Sequence, residues 1–232
     1  MKFLALSVLL AGCGGEISTG TELWDAGNVE GARQHWEQVA DTGNPSPTLR
    51  YNLGNAWFRK GDIPRAIGWW RSAGLWSPRD ADISHNLAFA RSQLENLPPP
   101  VAPATGWTEF LSPGEMGAMG LLVAGGGTFG AVLTRRRKSF VFPWVFVAVF
   151  GVVLSMTALS GWNAQNEKPL AVVVDGVVGV RPDPMVDAAV GFELAAGTEV
   201  RIEARRDEFV LVETGEGKRG WIPEVAAMIL LP

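Results

Sequence analysis

The chain has 232 residues, with 20 basic against 24 acidic side chains and hence a formal net charge of −4. That balance points to no nucleic-acid partner, which calls for a strongly basic surface. A single cysteine excludes an internal disulfide and any cysteine-based zinc cluster, and the length leaves room for one or two small domains beside any membrane segment.

Met1-Lys2 is a minimal positive start, and Phe3 to Leu10 is an apolar run too short to span a bilayer as a helix. This is the anatomy of a signal peptide. The run ends Leu10-Ala11-Gly12-Cys13, with the one cysteine last. That ending resembles the bacterial lipobox. The resemblance implies a lipoprotein-type signal peptide over 1–13 and acylation at Cys13, and an ordinary signal peptide would export the same segment.

Compared with itself at a shift of 34 residues, the chain matches Gly20 with Gly54, Gly27 with Gly61 and Asn28 with Asp62. Ala32 matches Ala66, Trp36 matches Trp70, and Asn52-Leu53 matches Asn86-Leu87. A self-match of that period signals tetratricopeptide repeats. In Pro47 to Asp80, Asn52-Leu53-Gly54, Trp57, Ala66, Trp70, Ala73 and Pro78 resemble the family consensus in order. Gly54 and Ala66 are small where two helices cross, Leu53, Trp57 and Trp70 fill the seam, and Gly61-Asp62 makes the turn. A degenerate earlier unit and one closing helix from Asp80 to Leu97 complete a helical arm over 16–97.

Asn52, Asn55 and Asn86 are expected on the concave face of this arm with Trp69, as partner-binding residues; internal capping or bridging is the alternative for the asparagines. Trp69 and Trp76 are surplus to the repeat core and are expected either at that face, as aromatic anchors, or in packing. His35 and His85 lie far apart and read as helix residues rather than metal ligands.

Leu97-Pro98-Pro99-Pro100-Val101-Ala102-Pro103 cannot continue a helix. Together with Trp107, Phe110 and Leu111 it reads as a semi-rigid spacer and interfacial segment over 98–111. Ser112-Pro113-Gly114-Glu115 is a helix start. Two uncharged runs follow, Met116 to Thr134 and Ser139 to Trp162, on either side of Arg135-Arg136-Arg137-Lys138, and the spans are read over 112–134 and 139–162. Each is long enough to cross a bilayer, so the pair reads as a transmembrane hairpin. The 135–138 loop is expected to be cytoplasmic, because Lys and Arg concentrate on that side. Gly126 with Gly130, and Gly151 with Ser155, are the small residues expected to pair the spans.

From Lys168 the pattern turns to β-branched runs: Leu170 to Val174, Val177 to Val180, Thr198 to Glu203 and Phe209 to Glu213. Val178-Gly179-Val180-Arg181, Ala196-Gly197-Thr198-Glu199-Val200, Phe209 to Val212 and the closing Gly220-Trp221-Ile222-Pro223 resemble a bacterial SH3 domain over 168–230. Trp221 is expected to pack across this small barrel. Glu199, Glu203, Asp207 and Glu208 read as a solvated strand edge and turn.

No phosphate-binding loop, nucleophile elbow or HExxH is found. Gly125-Gly126-Gly127-Thr128 lies in an apolar span and lacks the Gly-Lys-Ser/Thr ending. No enzymatic activity and no cofactor are expected. The whole order, with Tyr51-Asn52-Leu53-Gly54-Asn55-Ala56 at its strongest point, resembles the BatE-like proteins of the Bacteroides aerotolerance (Bat) group. The expected fold class is therefore a multidomain membrane protein: a helical repeat arm, a two-helix hairpin and a small all-β SH3-like barrel. The resemblance implies a periplasmic scaffold anchored in the inner membrane of a bacterium, acting in an aerotolerance or envelope-stress complex. The implied partners are a MoxR-type ATPase and membrane-bound von Willebrand A-domain proteins. The alternative is an envelope-binding module holding peptidoglycan or a wall peptide through the β arm.

Overall fold

The structure is a computed structural model that describes residues 18–43, 45–102, 110–135, 138–185 and 187–230. The expected signal peptide and Cys13, Trp107, and Arg136-Arg137 of the basic loop lie outside the described residues. Helices and a small antiparallel sheet region form two compact units. Of the described residues, the first gathers those from 18 to 74, Asp80–Val101 and 170–230; the second gathers Leu75–Arg79, Ala102, 110–135 and 138–169.

In the first unit, α1 covers residues 18–25, followed by α2 (Val29–Asp41), α3 (Pro47–Arg59), α4 (Ile63–Trp76) and α5 (Ala81–Ser92). The 34-residue period is geometric as well as textual. A methyl placed at Gly20 would overlap the Trp36 indole, and one at Gly54 would overlap the Trp70 indole in the same way. Gly27 and Gly61 both sit at positive φ, 80° and 86°, a conformation that costs glycine nothing. In the residue after each, Asn28 accepts from the Gly31 amide and Asp62 from the Arg65 amide, capping α2 and α4. Ser46 and Asp80 cap α3 and α5 likewise.

Trp36 and Trp70 are each 2% exposed, as core residues should be. Trp57 departs from the expectation. It is half-buried, and Arg33, Lys60 and Arg65 approach its ring at 4.5, 4.9 and 5.2 Å. It is a platform for cations rather than a seam filler. Arg33 also pairs with Glu30 and Glu37 along α2, and its hydrogen bond holds the Glu30 carboxyl down to about 2. The expected closing helix is shorter than read: α5 stops at Ser92. Asn96 takes φ 57°, and Pro98 forces its predecessor away from helical ψ.

The β arm has seven strands: β1 (Leu170–Val173), β2 (Val177–Val180), β3 (Phe192–Ala195), β4 (Glu199–Arg206), β5 (Phe209–Thr214), β6 (Arg219–Pro223) and β7 (Ala227–Leu230). They form a five-stranded antiparallel sheet in the order β6-β5-β4-β1-β7 and a two-stranded β2-β3 sheet. Arg181 and Trp221 exchange backbone hydrogen bonds of 2.9 and 2.7 Å, tying β2 to β6. Alternate residues point inward, so Val210, Val212 and Ile222, all 0% exposed, enclose one core with Val180 and Val200. Pro223 leads into a 3-10 turn, Glu224–Ala226.

Two sequence expectations change here. Glu199 is 4% exposed, not solvated. Its Oε2 accepts from Arg71 Nε at 3.0 Å and its Oε1 from Arg91 Nη1 at 2.6 Å. Asp207 and Glu208 do lie in the exposed β4–β5 turn. The proline segment is not a free spacer: Arg91 Nη2 donates to the Pro98 carbonyl at 2.8 Å and Arg71 Nη2 to the Val101 carbonyl at 3.1 Å. Val101 is 6% exposed. The same two guanidinium groups thus fasten a helix pair, an extended strap and a strand.

The second unit is built on α6 (Pro113–Thr134) and α7 (Lys138–Glu167). Ser112 and Glu115 form the capping box read in the sequence. Both helices are long and apolar enough to cross a membrane, and only 17% and 11% of their most apolar stretches are buried. A helix pair from a soluble core would bury far more. The helices run antiparallel, with Gly120 against Ser155 and Gly151, Gly127 against Ala148, and Gly130 against Trp144. Gly151 and Ser155 pair as expected. Gly126 does not: a methyl there meets nothing within 4 Å, and its neighbour Gly127 is the contact. α7 runs past the expected end at Trp162 because no breaker occurs before Pro169. Trp76 meets Trp162 edge-on at 5.4 Å, and Arg79 pairs with Glu115.

A methyl at Gly117 would lie 3.8 Å from the Ala158 Cβ, close to the ~3.8 Å typical of a disulfide. Gly117→Cys with Ala158→Cys is therefore expected to oxidise readily in a Cys13→Ser background, and Gly126→Cys with Ala158→Cys is not. Non-reducing mass analysis reads this, and equal oxidation of both pairs counts against the packing. The depressed Glu30 carboxyl favours the folded state above the ordinary carboxylate value of 4.5, and that contribution is lost as pH falls toward about 2. Arg33→Met should return the Glu30 titration, followed by NMR, toward the ordinary carboxylate range. A wild-type midpoint already in that range would contradict the pairing.

Candidate functional site

The best-defined polar face of the helical arm lies on α3 and α5. On α3, Tyr51, Asn55 and Phe58 follow at i, i+4 and i+7 and so share one side. On α5, Asn86 and Phe89 are one turn apart. Trp70, 2% exposed, supplies the starting point. Its Nε1 donates to Asn55 Oδ1 at 3.1 Å. Asn86 Nδ2 donates to the same oxygen at 3.4 Å and to the Tyr51 hydroxyl at 3.3 Å.

An indole N–H is a donor only. It fixes which amide atom of Asn55 turns inward, and Asn55 Oδ1 then fixes Asn86 Nδ2. Both amide orientations follow from one buried tryptophan. What remains is an Nδ2 donor on Asn55 and an Oδ1 acceptor on Asn86, on neighbouring helices. No further hydrogen bond to either is recorded among the described residues. Beside them Phe58 lies between Trp70 and Phe89, tilted to both, with ring centroids 5.5 and 5.8 Å away. Phe89 is 50% exposed, which is high for an aromatic ring. The face therefore offers a donor, an acceptor and an apolar ring.

Of the expected site residues, Asn55 and Asn86 come together and bridge helices, as the internal alternative holds, while keeping one polar atom each. Asn52 is half-buried on α3. Trp69 does not join them: it packs on the cluster of Ala32, Trp36, Leu49, Leu53 and Ala56. Cys13 lies outside the described residues. Tyr51, Phe58 and Phe89 were not singled out, although the 51-55-58 and 86-89 spacings carry the signal.

Arg50 is 2% exposed in the same arm. Its Nε donates to the Pro45 carbonyl at 2.9 Å and its Nη1 to Ser72, and burial lowers its pKa to about 10. It is a structural tie between α4 and the turn before α3. On the β arm, Trp221 was expected across the core. Gly220 and Ile222 are buried on the core side, so Trp221 points to the outer face, opposite Leu211 on β5. Among the described residues no group of three or more His, Cys, Asp or Glu side chains is placed to hold a metal ion.

Trp70→Phe keeps the ring packing and removes the donor that orients the chain of amides. Its expected cost is about 1 kcal/mol, against roughly 3–5 kcal/mol for Trp70→Ala, as read by helical circular dichroism in urea. Equal costs for the two would mean that the indole hydrogen bond sets nothing. No family model matches the chain, and no curated protein matches it.

Proposed function

We propose that the protein is a membrane-anchored scaffold whose helical arm, a tetratricopeptide-type stack, docks an extended segment of a protein partner. The observation that carries this reading is the fixed orientation of Asn55 and Asn86. An Nδ2 donor beside an Oδ1 acceptor is complementary to one peptide unit, whose carbonyl takes the first and whose N–H gives to the second. Phe58 and Phe89 offer an apolar seat for a neighbouring side chain. Peptide recognition of this kind draws affinity from main-chain hydrogen bonds and specificity from side-chain pockets.

The anchor is the helical hairpin. Val101, where the chain leaves the first unit, is held by Arg71; Val172, just after it returns, pairs with Glu199, which Arg71 also holds. A chain that departs and returns at one joint suits two crossings between them, with both arms on the same side of the membrane. The basic residues 135–138 then favour the cytoplasmic side and the arms the periplasm. By resemblance to the BatE-like proteins, the partner class is a membrane-bound von Willebrand A-domain protein and the setting an aerotolerance or envelope-stress complex. No enzymatic step is assigned.

One observation favours a second reading. Trp221 faces outward on the SH3-like β arm, where an aromatic ring can stack on a glycan or wall peptide. The two readings separate on the full chain in native membranes. A photocrosslinker at Asn52 is expected to capture a von Willebrand A-domain protein, and Asn55→Ala with Asn86→Ala to reduce the adduct at least tenfold while the arm stays folded. Undiminished capture by the folded double variant moves the docking role elsewhere. Sacculus binding that is lost with Trp221→Ala favours the envelope-binding reading instead.

A further inference from the structure

Glycine in a helix interior or an exposed turn, and a carboxylate in an apolar site, each need a reason. Three glycines and one carboxylate of the first unit share one. Gly68 lies inside α4, where glycine costs roughly 1 kcal/mol against alanine; a methyl there would come within 2.6 Å of Met228 Sδ on β7. Gly197, in the β3–β4 turn at φ +90°, lies against Leu94, Ile67 and Leu97. A methyl at Gly215, in the exposed β5–β6 turn, would overlap the Pro99 carbonyl. Glu199 sits among these contacts and carries the only carboxylate that Arg71 and Arg91 are recorded to reach among the described residues.

Each side of this joint is fitted to the other. The helical arm brings two cations and a gap at Gly68. The strap brings carbonyls, and its Pro99 and Pro100 carry no N–H that would need a partner. The β arm brings one carboxylate and a side-chain-free position in each of two turns, Gly197 and Gly215. Burying Glu199 without the arginines would strand a charge, and a chance contact would need neither Gly68 nor Gly215, whereas Gly197 also answers to its own positive φ.

From this we infer that the β arm is an intramolecular recognition module. Its face at Gly197, Glu199, Gly215 and Met228 takes as its ligand the chain's own arginine-bearing helix pair and proline strap. That face is closed to wall ligands or partner peptides, and the end of the helical stack is closed to a further repeat. Arm, strap and β arm move as one body, and the outer face of Trp221 belongs to the part of the β arm left to the exterior. This holds whether or not Asn55 and Asn86 dock a partner.

Hydrogen-exchange mass spectrometry on the full chain in nanodiscs tests it. In the wild type, residues 91–101 and 196–201 should be protected together. Glu199→Ala should speed exchange at least tenfold on both sides of the joint, leaving β5 around Val210–Val212 and α3 around Leu49–Leu53 protected. Glu199→Arg with Arg91→Glu again sets a carboxylate beside two guanidinium groups, and should recover at least threefold of the loss. Exchange that rises on one side only, or an unprotected 91–101 segment in the wild type, overturns the inference. Should Glu199→Ala unfold the β arm, Gly215→Val decides. Faster exchange in the strap with β5 intact supports recognition, and an unchanged strap refutes it.

Discussion

The first unit depends on one carboxylate. Glu199, at the start of β4, is buried and held by arginines from two helices, Arg71 at 3.0 Å and Arg91 at 2.6 Å. A buried charge without partners is strongly unfavourable, and removing one partner of a buried pair is more damaging than replacing the whole set by apolar residues. One further donor of each arginine is used on the Pro98 and Val101 carbonyls, so the cluster is tied to the backbone as well as neutralised. Three chain segments with no local reason to meet are fixed to one another by this arrangement.

The same small-residue device serves two different environments. In the helical arm, Gly20 and Gly54 let a tryptophan indole lie on the backbone of the preceding helix, and the gain comes from taking a large apolar surface out of water. In the hairpin, Gly120, Gly127 and Gly151 bring two backbones together. Lipid tails are as apolar as the helices, so the gain there comes from close packing rather than from hydrophobic burial. The outer faces of the two helices keep Leu121, Leu122, Phe129, Phe142 and Phe146 exposed, an apolar surface that suits a bilayer better than water.

The polar face on α3 and α5 gets its directionality from a core residue. Trp70 fills the seam and also turns Asn55, which turns Asn86. A change in the seam that moves the indole also reorients both amides, so the docking proposed for this face would be coupled to core packing.

Local patterns determined the elements. The 34-residue repeat, the Gly61-Asp62 turn, the capping box at Ser112 and the β-branched runs after Lys168 each state a short-range preference that holds wherever the segment is placed. Helix ends and strand faces were less legible. Whether Gly126 or Gly127 meets the other helix is a matter of one residue, about 100° of rotation. Whether Trp221 or Ile222 enters the core is a matter of strand parity, which composition does not set. Trp57 looked like seam filler because tryptophan is bulky; only the positions of Arg33, Lys60 and Arg65 make it a cation platform. The joint was invisible for a stronger reason. Glu199 stands 128 residues from Arg71 and 108 from Arg91, and in the sequence it is one acid among several on a β-rich stretch. A charge reads as solvated until the fold brings another surface over it, and that surface exists only once helices, strap and sheet have docked.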